Sequence, residues 1–196
     1  HESLPGGAAN EFEAAVMRVI EYGELAECDL VIDAVYEGAV GSQLSGETLS
    51  KLLPGVGNLG GFRIAGKGDY KKFVVLYSSG EDPDWPDHLD LETGCFTYYG
   101  DNKTPGHELH DTRPKGNLLL KNCFERLHGE TNQRASIPPF FIFHKHPTAT
   151  SSRSAQFRGV AVPGASGLSG TSDLVAVWKT TKGQRFQNYR AIFTIL

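Results

Sequence analysis

The chain has 196 residues, of which 39% are hydrophobic and 21% charged, and its net charge is −4. These values fit one folded domain and leave little room for a second core. No apolar run approaches the roughly 20 residues that cross a bilayer, and the first residues lack the basic start and apolar stretch of a signal peptide. We therefore expect a cytoplasmic protein without membrane contact, with residues 1–9 as a disordered tail or cloning remnant and residues 10–196 as one domain.

The first third of the chain predicts two helices and a strand. Asn10 and Glu13 have the spacing of a capping box, and the apolar residues that follow share one helical face up to Gly23. Residues 29–38 have the composition of a strand, and residues 45–55 that of a short helix ending at a Pro-Gly pair.

The middle of the chain alternates strands with irregular segments. Residues 55–69 are dense in glycine and predict a mobile loop, whereas the continuous β-branched run at 71–80 predicts a buried strand. The stretch "GCFTYYG" at 94–100 predicts a further strand. Residues 101–117 are too polar and too broken by Pro and Gly to be core, and residues 117–129 predict a helix.

Three strand-like segments finish the chain. They are residues 138–145, residues 157–164 and a hairpin over residues 173–196 that turns at "TTKGQ". The high numbers of glycines (23) and prolines (10) also favour a β-rich fold with many turns. We predict an α+β fold, in which a curved antiparallel β-barrel or sheet is flanked by a few helices.

The cysteines and the common sequence motifs give no sign of a metal or cofactor. Cys28, Cys95 and Cys123 are odd in number and have no CxxC spacing, so we expect reduced thiols and neither a disulfide framework nor a zinc site. The stretch "GVGNLGG" lacks the helix that follows a phosphate-binding loop. In "SDLVAVWK", a valine stands where a magnesium-dependent nuclease needs an acid.

The histidines of "GHELHD" leave one catalytic alternative open. The spacing is one residue shorter than the HExxH zinc motif. A metal-dependent nuclease that uses His107, His110 and Asp111 remains the alternative from another functional class, and solvent-exposed loop histidines are the expected reading.

Basic residues are concentrated at the end of the chain. From Lys145 onward there are seven Lys or Arg against one acid, Asp173, a net charge of +6, so the first 144 residues carry −10. Such asymmetry favours a polyanionic partner if the basic residues share a face. If they do not, the chain could instead be a protein-interaction module without affinity for DNA.

Residues 82–102, "DPDWPDHLDLETGCFTYYGDN", combine carboxylates with clustered aromatic side chains. A nucleobase extruded from a duplex fits such a combination, because it is flat and stacks on aromatic rings. The exocyclic amine of cytosine donates a hydrogen bond, so a carboxylate can read it. A basic surface nearby would hold the phosphates.

These residues resemble the centre of the SRA (SET- and RING-associated) domain, a family that binds 5-methylcytosine by flipping it. The matching segments are, in order, "SSG", the acidic loop "EDPDWPDHLDLETG" (residues 81–94), "FTYYG", the finger loop "DNKTPGHELHDTRPKGN" (residues 101–117) and the helix "NLLLKNCFERL". The chain is more similar still to the N-terminal SRA-like domain of modification-dependent restriction endonucleases of the AspBHI type. This resemblance covers about residues 58 to 196 and includes "HDTRPKGN" and the final hairpin.

The resemblance implies a base pocket. Tyr98 occupies the place of the family's stacking tyrosine, and Asp90 that of its cytosine-reading carboxylate, with Asp87 as the alternative because this acidic loop is longer. The family's second aromatic has no clean equivalent here. The remaining aromatic candidates are Trp85 as the first choice for the opposite wall, Tyr77 and Phe73 behind it, and Tyr99 beside Tyr98. Other readings are a capping role for Asp90 and a packing role for Trp85.

The resemblance also implies contacts to the DNA backbone. In the finger loop, Arg113 and Lys115 would fill the gap left by the base or grip phosphates, with Asn102 and Lys103 as secondary candidates. The basic end of the chain would supply the other phosphate contacts. The candidates there are Arg153, Arg158, Lys179, Lys182 and Arg185.

The expected function is therefore recognition of duplex DNA that contains a modified cytosine, with 5-methylcytosine as the expected modification, by base flipping. The chain would be the targeting domain of a modification-dependent restriction endonuclease, without catalysis of its own, and a separate C-terminal nuclease domain would do the cleavage. Binding of another modified base, such as hydroxymethyl- or glucosyl-cytosine, is a second alternative.

Overall fold

The structure is a computed structural model that describes residues 29–38, 48–57, 59–68 and 70–196. The predicted tail, the predicted helix over residues 10–23 and Cys28 lie outside the described residues. None of the helices in the described ranges is long and apolar enough to span a membrane.

Over the described residues the chain forms nine strands, two α-helices and one 3-10 helix. The strands are β1 (Val35–Tyr36), β2 (Phe62–Lys67), β3 (Tyr70–Ser78), β4 (His88–Leu89), β5 (Cys95–Tyr99), β6 (Phe140–Lys145), β7 (Ala155–Pro163), β8 (Leu174–Thr181) and β9 (Gln184–Ile195). The helices are α1 (Thr48–Leu52), α2 (Gly116–His128) and the 3-10 helix Thr131–Ser136.

All nine strands belong to one sheet. Its order is β2-β3-β6-β7-β9-β5-β4, with β1 paired to β7 and β8 paired to β9. Every pairing is antiparallel except that of β3 with β6, which is parallel. The α+β prediction is confirmed, and the sheet is open and mixed rather than a closed antiparallel barrel.

The prediction of a loop over residues 55–69 is wrong for its second half, which forms β2. The side chains of Phe62 and Ala65 are buried, and the strand pairs with β3 along its length. The glycine that suggested a loop marks an irregularity in this pairing. Gly66 has φ +109°, and a Cβ there would lie 2.4 Å from the carbonyl oxygen of Tyr70. In residues 29–38 only the two residues of β1 form a strand.

Two hydrophobic clusters pack on opposite faces of the sheet, as the alternation along β3 shows. Val74 and Leu76 belong to the first cluster and Val75 to the second. Helix α2 covers the first face with buried apolar side chains at helical spacing, including Leu120 and Phe124. Burying a side chain of this size contributes about 1.5–3 kcal/mol, so packing fixes α2 against the sheet.

Candidate nucleic-acid interface

A cavity of about 600 Å³ opens beside the C-terminal end of β3. This volume lies in the range of roughly 300–1,000 Å³ that holds small-molecule ligands. The lining residues come from the start of β2, from β3 and β5, and from the loops around them. They are Leu59, Gly60, Gly61, Phe62, Arg63, Tyr77, Ser79, Asp87, Tyr98, Asp101, Lys103, Pro114 and Arg153.

Two tyrosines give the cavity its aromatic surface. Tyr98 on β5 is 1% exposed, and its ring packs at 6.2 Å from that of Phe62. Tyr77 on β3 is half-buried, and the guanidinium of Arg63 lies 5.8 Å from the centre of its ring. Burial raises the pKa of the Tyr98 hydroxyl well above its ordinary value, so the ring is a neutral phenol.

Gly61 allows the backbone before β2 to pack closely against β3 beside the hydroxyl of Tyr98. Its carbonyl oxygen accepts a hydrogen bond of 2.7 Å from the amide of Tyr77. A Cβ on Gly61 would lie 2.6 Å from the carbonyl oxygen of Tyr77 and 3.4 Å from the hydroxyl of Tyr98. Only glycine permits this approach of the two backbones, and any larger residue would push into the cavity.

Two acids, Asp101 and Asp87, line the cavity, and the one that belongs to the acidic loop is Asp87. Its Oδ1 accepts a 2.7 Å hydrogen bond from the amide of Tyr99, and its Oδ2 accepts a 2.8 Å bond from the hydroxyl of Ser78. These bonds fix the carboxylate between β5 and β3. Burial raises the pKa of Asp87 above its ordinary value, although the charge of Lys103 and the two hydrogen bonds act in the opposite direction.

Asp90, the first choice for the base-reading carboxylate, does not line the cavity. Its Oδ1 accepts hydrogen bonds from the amides of Glu92 and Thr93, and its Oδ2 accepts a 2.7 Å bond from the Thr93 hydroxyl. These hydrogen bonds lower the pKa of Asp90. The structure therefore gives Asp90 the capping position in the turn before Gly94, and it gives Asp87 the position in the cavity.

Trp85 and Tyr99 also lie away from the cavity. Tyr99 neighbours Tyr98 on β5 and so points to the opposite face of the sheet. Trp85 is 3% exposed and packs against the rings of Tyr99, at 5.6 Å, and Phe186, at 5.9 Å. Its indole fixes the acidic loop onto β9. Phe73, the remaining aromatic candidate, packs against Phe141 in the second cluster.

Buried polar side chains hold the two ends of the finger loop. The carboxylate of Asp101 accepts hydrogen bonds from the amides of Gly116 and Asn117, both at 2.8 Å, and so caps the start of α2. The side-chain amide of Asn102 donates to the carbonyl oxygens of His107, at 3.2 Å, and Gln187, at 2.8 Å. Asn102 is therefore a structural residue, 1% exposed, rather than a side chain presented to DNA.

Asn188 on β9 completes this network. Its Oδ1 accepts hydrogen bonds from the amide of Asn102 and the side-chain amide of Asn117, and its own side-chain amide donates to the carbonyl oxygen of Gly100. The close packing requires glycine at the end of β5. A Cβ on Gly100 would lie 1.8 Å from Oδ1 of Asn117 and 2.8 Å from Oδ1 of Asn188.

The cationic residues of the finger loop take different positions. Lys103 lines the cavity, with its Nζ 3.9 Å from Oδ2 of Asp87. Arg113 and Lys115 are exposed on either side of Pro114, which also lines the cavity. The ammonium of Lys115 forms an ion pair with Asp111 on the same loop.

Among the predicted cations of the C-terminal segment, Arg153 alone lines the cavity. Its Nη1 is buried and has no hydrogen-bond partner among the described residues. Arg158 and Lys179 form ion pairs with Asp33, at 2.7 Å, and Asp84, at 2.5 Å.

The last two predicted cations lie near the tip of the β8–β9 hairpin. Lys182 is exposed in the turn, and Arg185 stacks over the exposed ring of Trp178 at 4.1 Å. These five predicted cations are therefore divided among the cavity, ion pairs and the hairpin.

The residues of the nuclease alternative have other partners. Nε2 of His110 lies 2.9 Å from the hydroxyl of Tyr189, and the two rings stack. The carboxylate of Asp111 pairs with Lys115, and the backbone of His107 accepts from Asn102. Over the described ranges, no cluster of three or more His, Cys, Asp or Glu side chains could hold a metal ion.

The sequence analysis missed Arg63 and Asp101. Arg63 was not singled out because it lies in the glycine-rich segment that was predicted to be a loop. In the structure it donates hydrogen bonds to the carbonyl oxygens of Gly57 and Gly60. Asp101 had a usable signal, because an Asp-Asn pair directly after a strand is typical of capping and turn positions. What the sequence did not reveal is that its partners are the first amides of α2, fifteen residues later.

Comparison with known proteins gives a consistent family. Structurally, the chain is similar to the DNA recognition domain of the cytosine modification-dependent restriction endonuclease LpnPI, with 61% identity, a TM-score of 0.85, and 88% of this chain and 76% of that chain covered. It is also similar to the DNA modification-dependent restriction endonuclease AspBHI, with 48% identity, a TM-score of 0.79, and 88% and 78% covered.

A more distant structure, the MspJI restriction endonuclease in complex with a 27-mer oligonucleotide, shares the fold at 21% identity and a TM-score of 0.57, over 93% of this chain and 45% of that chain. No curated protein matches the chain. The family model described as restriction endonuclease AspBHI N-terminal matches residues 30–196. The chain therefore belongs to the family of the N-terminal domain of the restriction endonuclease AspBHI.

Proposed function

We propose that this domain recognises duplex DNA containing a modified cytosine, that it takes the cytosine out of the duplex into the cavity, and that it targets a modification-dependent restriction endonuclease to such sites. The observation that carries the proposal is the cavity itself. It combines the rings of Tyr98 and Tyr77 with the fixed carboxylate of Asp87. An extruded cytosine needs an aromatic surface for its ring and an acceptor for its amine.

Asp87 is the residue that reads the base in this proposal. Its two oxygens are positioned by Ser78 and by the amide of Tyr99, and each oxygen has a second lone pair for the exocyclic amine of cytosine. Tyr98 and Tyr77 supply the aromatic contacts. A 5-methyl group adds only about 1 kcal/mol by apolar burial, so discrimination also depends on the shape of the cavity and on the extrusion step.

The backbone contacts come from the cations around the cavity mouth. Arg153 lines the cavity, and Arg113 and Lys115 flank Pro114 at its edge. Lys182 and Arg185 of the β8–β9 hairpin are further candidates for phosphate contacts in this proposal. Lys179 and Arg158 are secondary phosphate contacts, because each already pairs with an acid. Phosphate contacts of this kind make affinity dependent on salt and position the duplex without reading its sequence.

The relatives support a binding role for this chain. The LpnPI match is a DNA recognition domain of a cytosine modification-dependent restriction endonuclease, and the family model is that of an N-terminal domain. We therefore place cleavage in a separate C-terminal nuclease domain of the whole protein, which acts in the cytoplasm of a prokaryotic cell as a defence against foreign DNA. The proposed modification is 5-methylcytosine. A cytosine with a larger 5-substituent is the alternative, because it is compatible with a cavity volume of about 600 Å³.

The test is a binding titration on two short duplexes that differ only in one central 5-methylcytosine, at two salt concentrations. We expect tighter binding to the methylated duplex. Asp87→Ala and Tyr98→Ala remove this preference, and thermal unfolding checks that both variants are folded. Asp90→Ala is the matched control, because it removes a carboxylate of the same loop that does not reach the cavity, and it keeps the preference.

Three other outcomes contradict parts of the proposal. Equal, salt-sensitive binding to both duplexes excludes 5-methylcytosine as the modification, and duplexes with hydroxymethyl- or glucosyl-cytosine are then compared. Absence of binding to every duplex rejects the DNA function. Cleavage by this chain alone that requires Mg²⁺ or Zn²⁺ and is lost in His110→Ala supports the nuclease alternative.

A further inference from the structure

Lys103 contacts the same two groups that the proposed function assigns to the base. Its Nζ lies 5.9 Å from the centre of the Tyr98 ring and 3.9 Å from Oδ2 of Asp87. Tyr98 is only 1% exposed, so a base cannot stack on this ring unless neighbouring groups move. The ammonium of Lys103 is one such group, and its side chain is 36% exposed and therefore able to swing into solvent.

The backbone of Lys103 is fixed, so that only its side chain has this freedom. The indole nitrogen of Trp85 donates a 3.2 Å hydrogen bond to the carbonyl oxygen of Lys103. The preceding residue, Asn102, is anchored by its buried side-chain amide. A second acid, Asp82, lies 3.8 Å from the ammonium at the outer side of the cavity.

We infer that Lys103 is an internal competitor of the extruded base: it occupies the Tyr98 face and the Asp87 carboxylate in the free protein, and the base must displace it. The inference rests on the proposed function. The ammonium imitates both properties of cytosine that the cavity reads. It is attracted to the carboxylate, which also accepts the exocyclic amine in the proposed function, and it is attracted to the face of the aromatic ring.

This competition sets a threshold that any base must overcome to be extruded. Displacement of Lys103 costs the same free energy for every base, so it disfavours the extruded state of all cytosines equally. A modified cytosine gains additional contacts in the cavity and still enters, whereas an unmodified cytosine remains stacked in the duplex. The lysine therefore lowers the population of extruded, unmodified cytosine without blocking the modified one.

The experiment measures extrusion at saturating protein, so that differences in overall affinity do not enter. A fluorescent base analogue beside the target cytosine reports loss of stacking when that cytosine leaves the duplex. Matched duplexes with 5-methylcytosine and with cytosine are compared for the unaltered protein, Lys103→Met and Lys103→Arg. Lys121→Met is the control, because Lys121 lies on α2, pairs with Glu125 and does not line the cavity.

We expect Lys103→Met to raise the ratio of extruded to stacked cytosine on the unmodified duplex roughly three- to tenfold, the effect of one partly exposed ion pair and one cation–π contact. Lys103→Arg keeps a cation over the ring and stays near the unaltered protein. Lys121→Met also stays near the unaltered protein, because this residue does not line the cavity.

Two results overturn the inference separately from the proposed function. If the unaltered protein extrudes 5-methylcytosine, and Lys103→Met does not raise the ratio of extruded to stacked cytosine on the unmodified duplex, Lys103 does not compete with the base, and the proposed function stands. A lowered ratio would mean that Lys103 assists extrusion. If the unaltered protein extrudes neither base, the proposed function and this inference both fail.

Discussion

The finger loop and the acidic loop both border the cavity, but the chain fixes them by different interactions. The finger loop is held by buried hydrogen bonds of Asp101, Asn102, Asn117 and Asn188. The acidic loop is held by the ring of Trp85 against Tyr99 and Phe186, in addition to the two hydrogen bonds of Asp87. A buried polar network leaves unsatisfied groups when one member is removed, whereas an aromatic contact loses only part of its area. The two loops should therefore respond very differently to substitution.

The largest effect is expected for Gly100→Ala, which tests the finger-loop side. The new methyl group would lie 1.8 Å from Oδ1 of Asn117, so the network must break or β5 must shift. We expect the free energy of unfolding to fall by about 3–5 kcal/mol, measured by urea denaturation. Gly57→Ala is the control, since among the described residues no atom beyond its chain neighbours lies within 4 Å of that Cβ. Equal stability of the two variants would show that the network adapts freely.

Asn188→Ala should have the next largest effect. The substitution removes the acceptor for the amide of Asn102 and for the side-chain amide of Asn117, and it removes the donor to Gly100. Leaving such groups buried and unpaired costs about 2–4 kcal/mol of unfolding free energy. Hydrogen exchange should show faster exchange of the finger-loop amides. Loss of stability without faster exchange there would mean that Asn188 supports β9 rather than the loop.

Trp85→Phe tests the acidic loop and should cost less. A smaller ring keeps part of the packing on Phe186 but loses the hydrogen bond from the indole to the carbonyl oxygen of Lys103. We expect a loss of about 1–2 kcal/mol in thermal unfolding experiments. A loss as large as that of Gly100→Ala would remove the contrast between the two loops.

The pH dependence of stability separates the two acids of the acidic loop. The pKa of Asp87 is raised in the folded protein, so ionisation of this carboxyl costs more there than in the unfolded chain. The folded protein binds the proton more tightly, and its stability therefore falls as pH rises from the ordinary value of 3.8 through the raised pKa. Asp87→Asn cannot ionise, so its stability relative to the unaltered protein should increase over this interval and then level off.

Asp90→Asn should give the opposite dependence, because hydrogen bonds lower the pKa of Asp90 in the folded protein. Its stabilising contribution is present above the ordinary pKa and is lost as pH falls through the lowered one. Urea titrations of both variants across pH 3 to 7 provide the comparison. Parallel curves for the two variants would contradict the difference in environment that the structure assigns to these acids.

The smallest effect is expected on the outer surface of the finger loop. Asp111 and Lys115 form an ion pair that is open to solvent on both sides. Exposed pairs of this kind contribute little because water and salt screen them. Asp111→Asn should leave the denaturation midpoint unchanged within error. A clear shift would mean that the finger loop depends on its surface charges as well as on its buried network.

The sequence allowed the regular elements to be predicted where the local pattern was strong. The β-branched run of β3 and the apolar spacing of α2 were found close to their observed bounds. Strand β2 was missed because its glycines suggested a loop, and its burial arises from pairing with β3 rather than from its own composition. Pairing of this kind depends on partners that a local window does not contain.

The candidate site was predicted in part. The motif around Tyr98 placed that residue at the cavity, and Asp87 was named as the alternative to Asp90. Asp90 was preferred because it lies four residues before Gly94. The acidic loop is longer than in the family, so this spacing did not reveal which of the two carboxylates faces the cavity. Asn102 was predicted as a secondary DNA contact because it lies in the segment that resembles the family's finger loop. Its burial results from Gln187 and Asn188, which lie more than eighty residues away.

The side-chain amide of Asn102 also closes residues 102–107 into a small ring through the carbonyl oxygen of His107. The Asn102 end is fixed to β9 and the His107 end is fixed to Asn102, while a Cβ on Gly106 would meet no atom of the described residues within 4 Å. Residues 104–106 therefore form a loop tip whose sequence can change while the residues on either side of it stay in place. Tips of different sequence or length could be grafted there, and related domains with new flanking-sequence preferences could be produced, without redesign of the cavity.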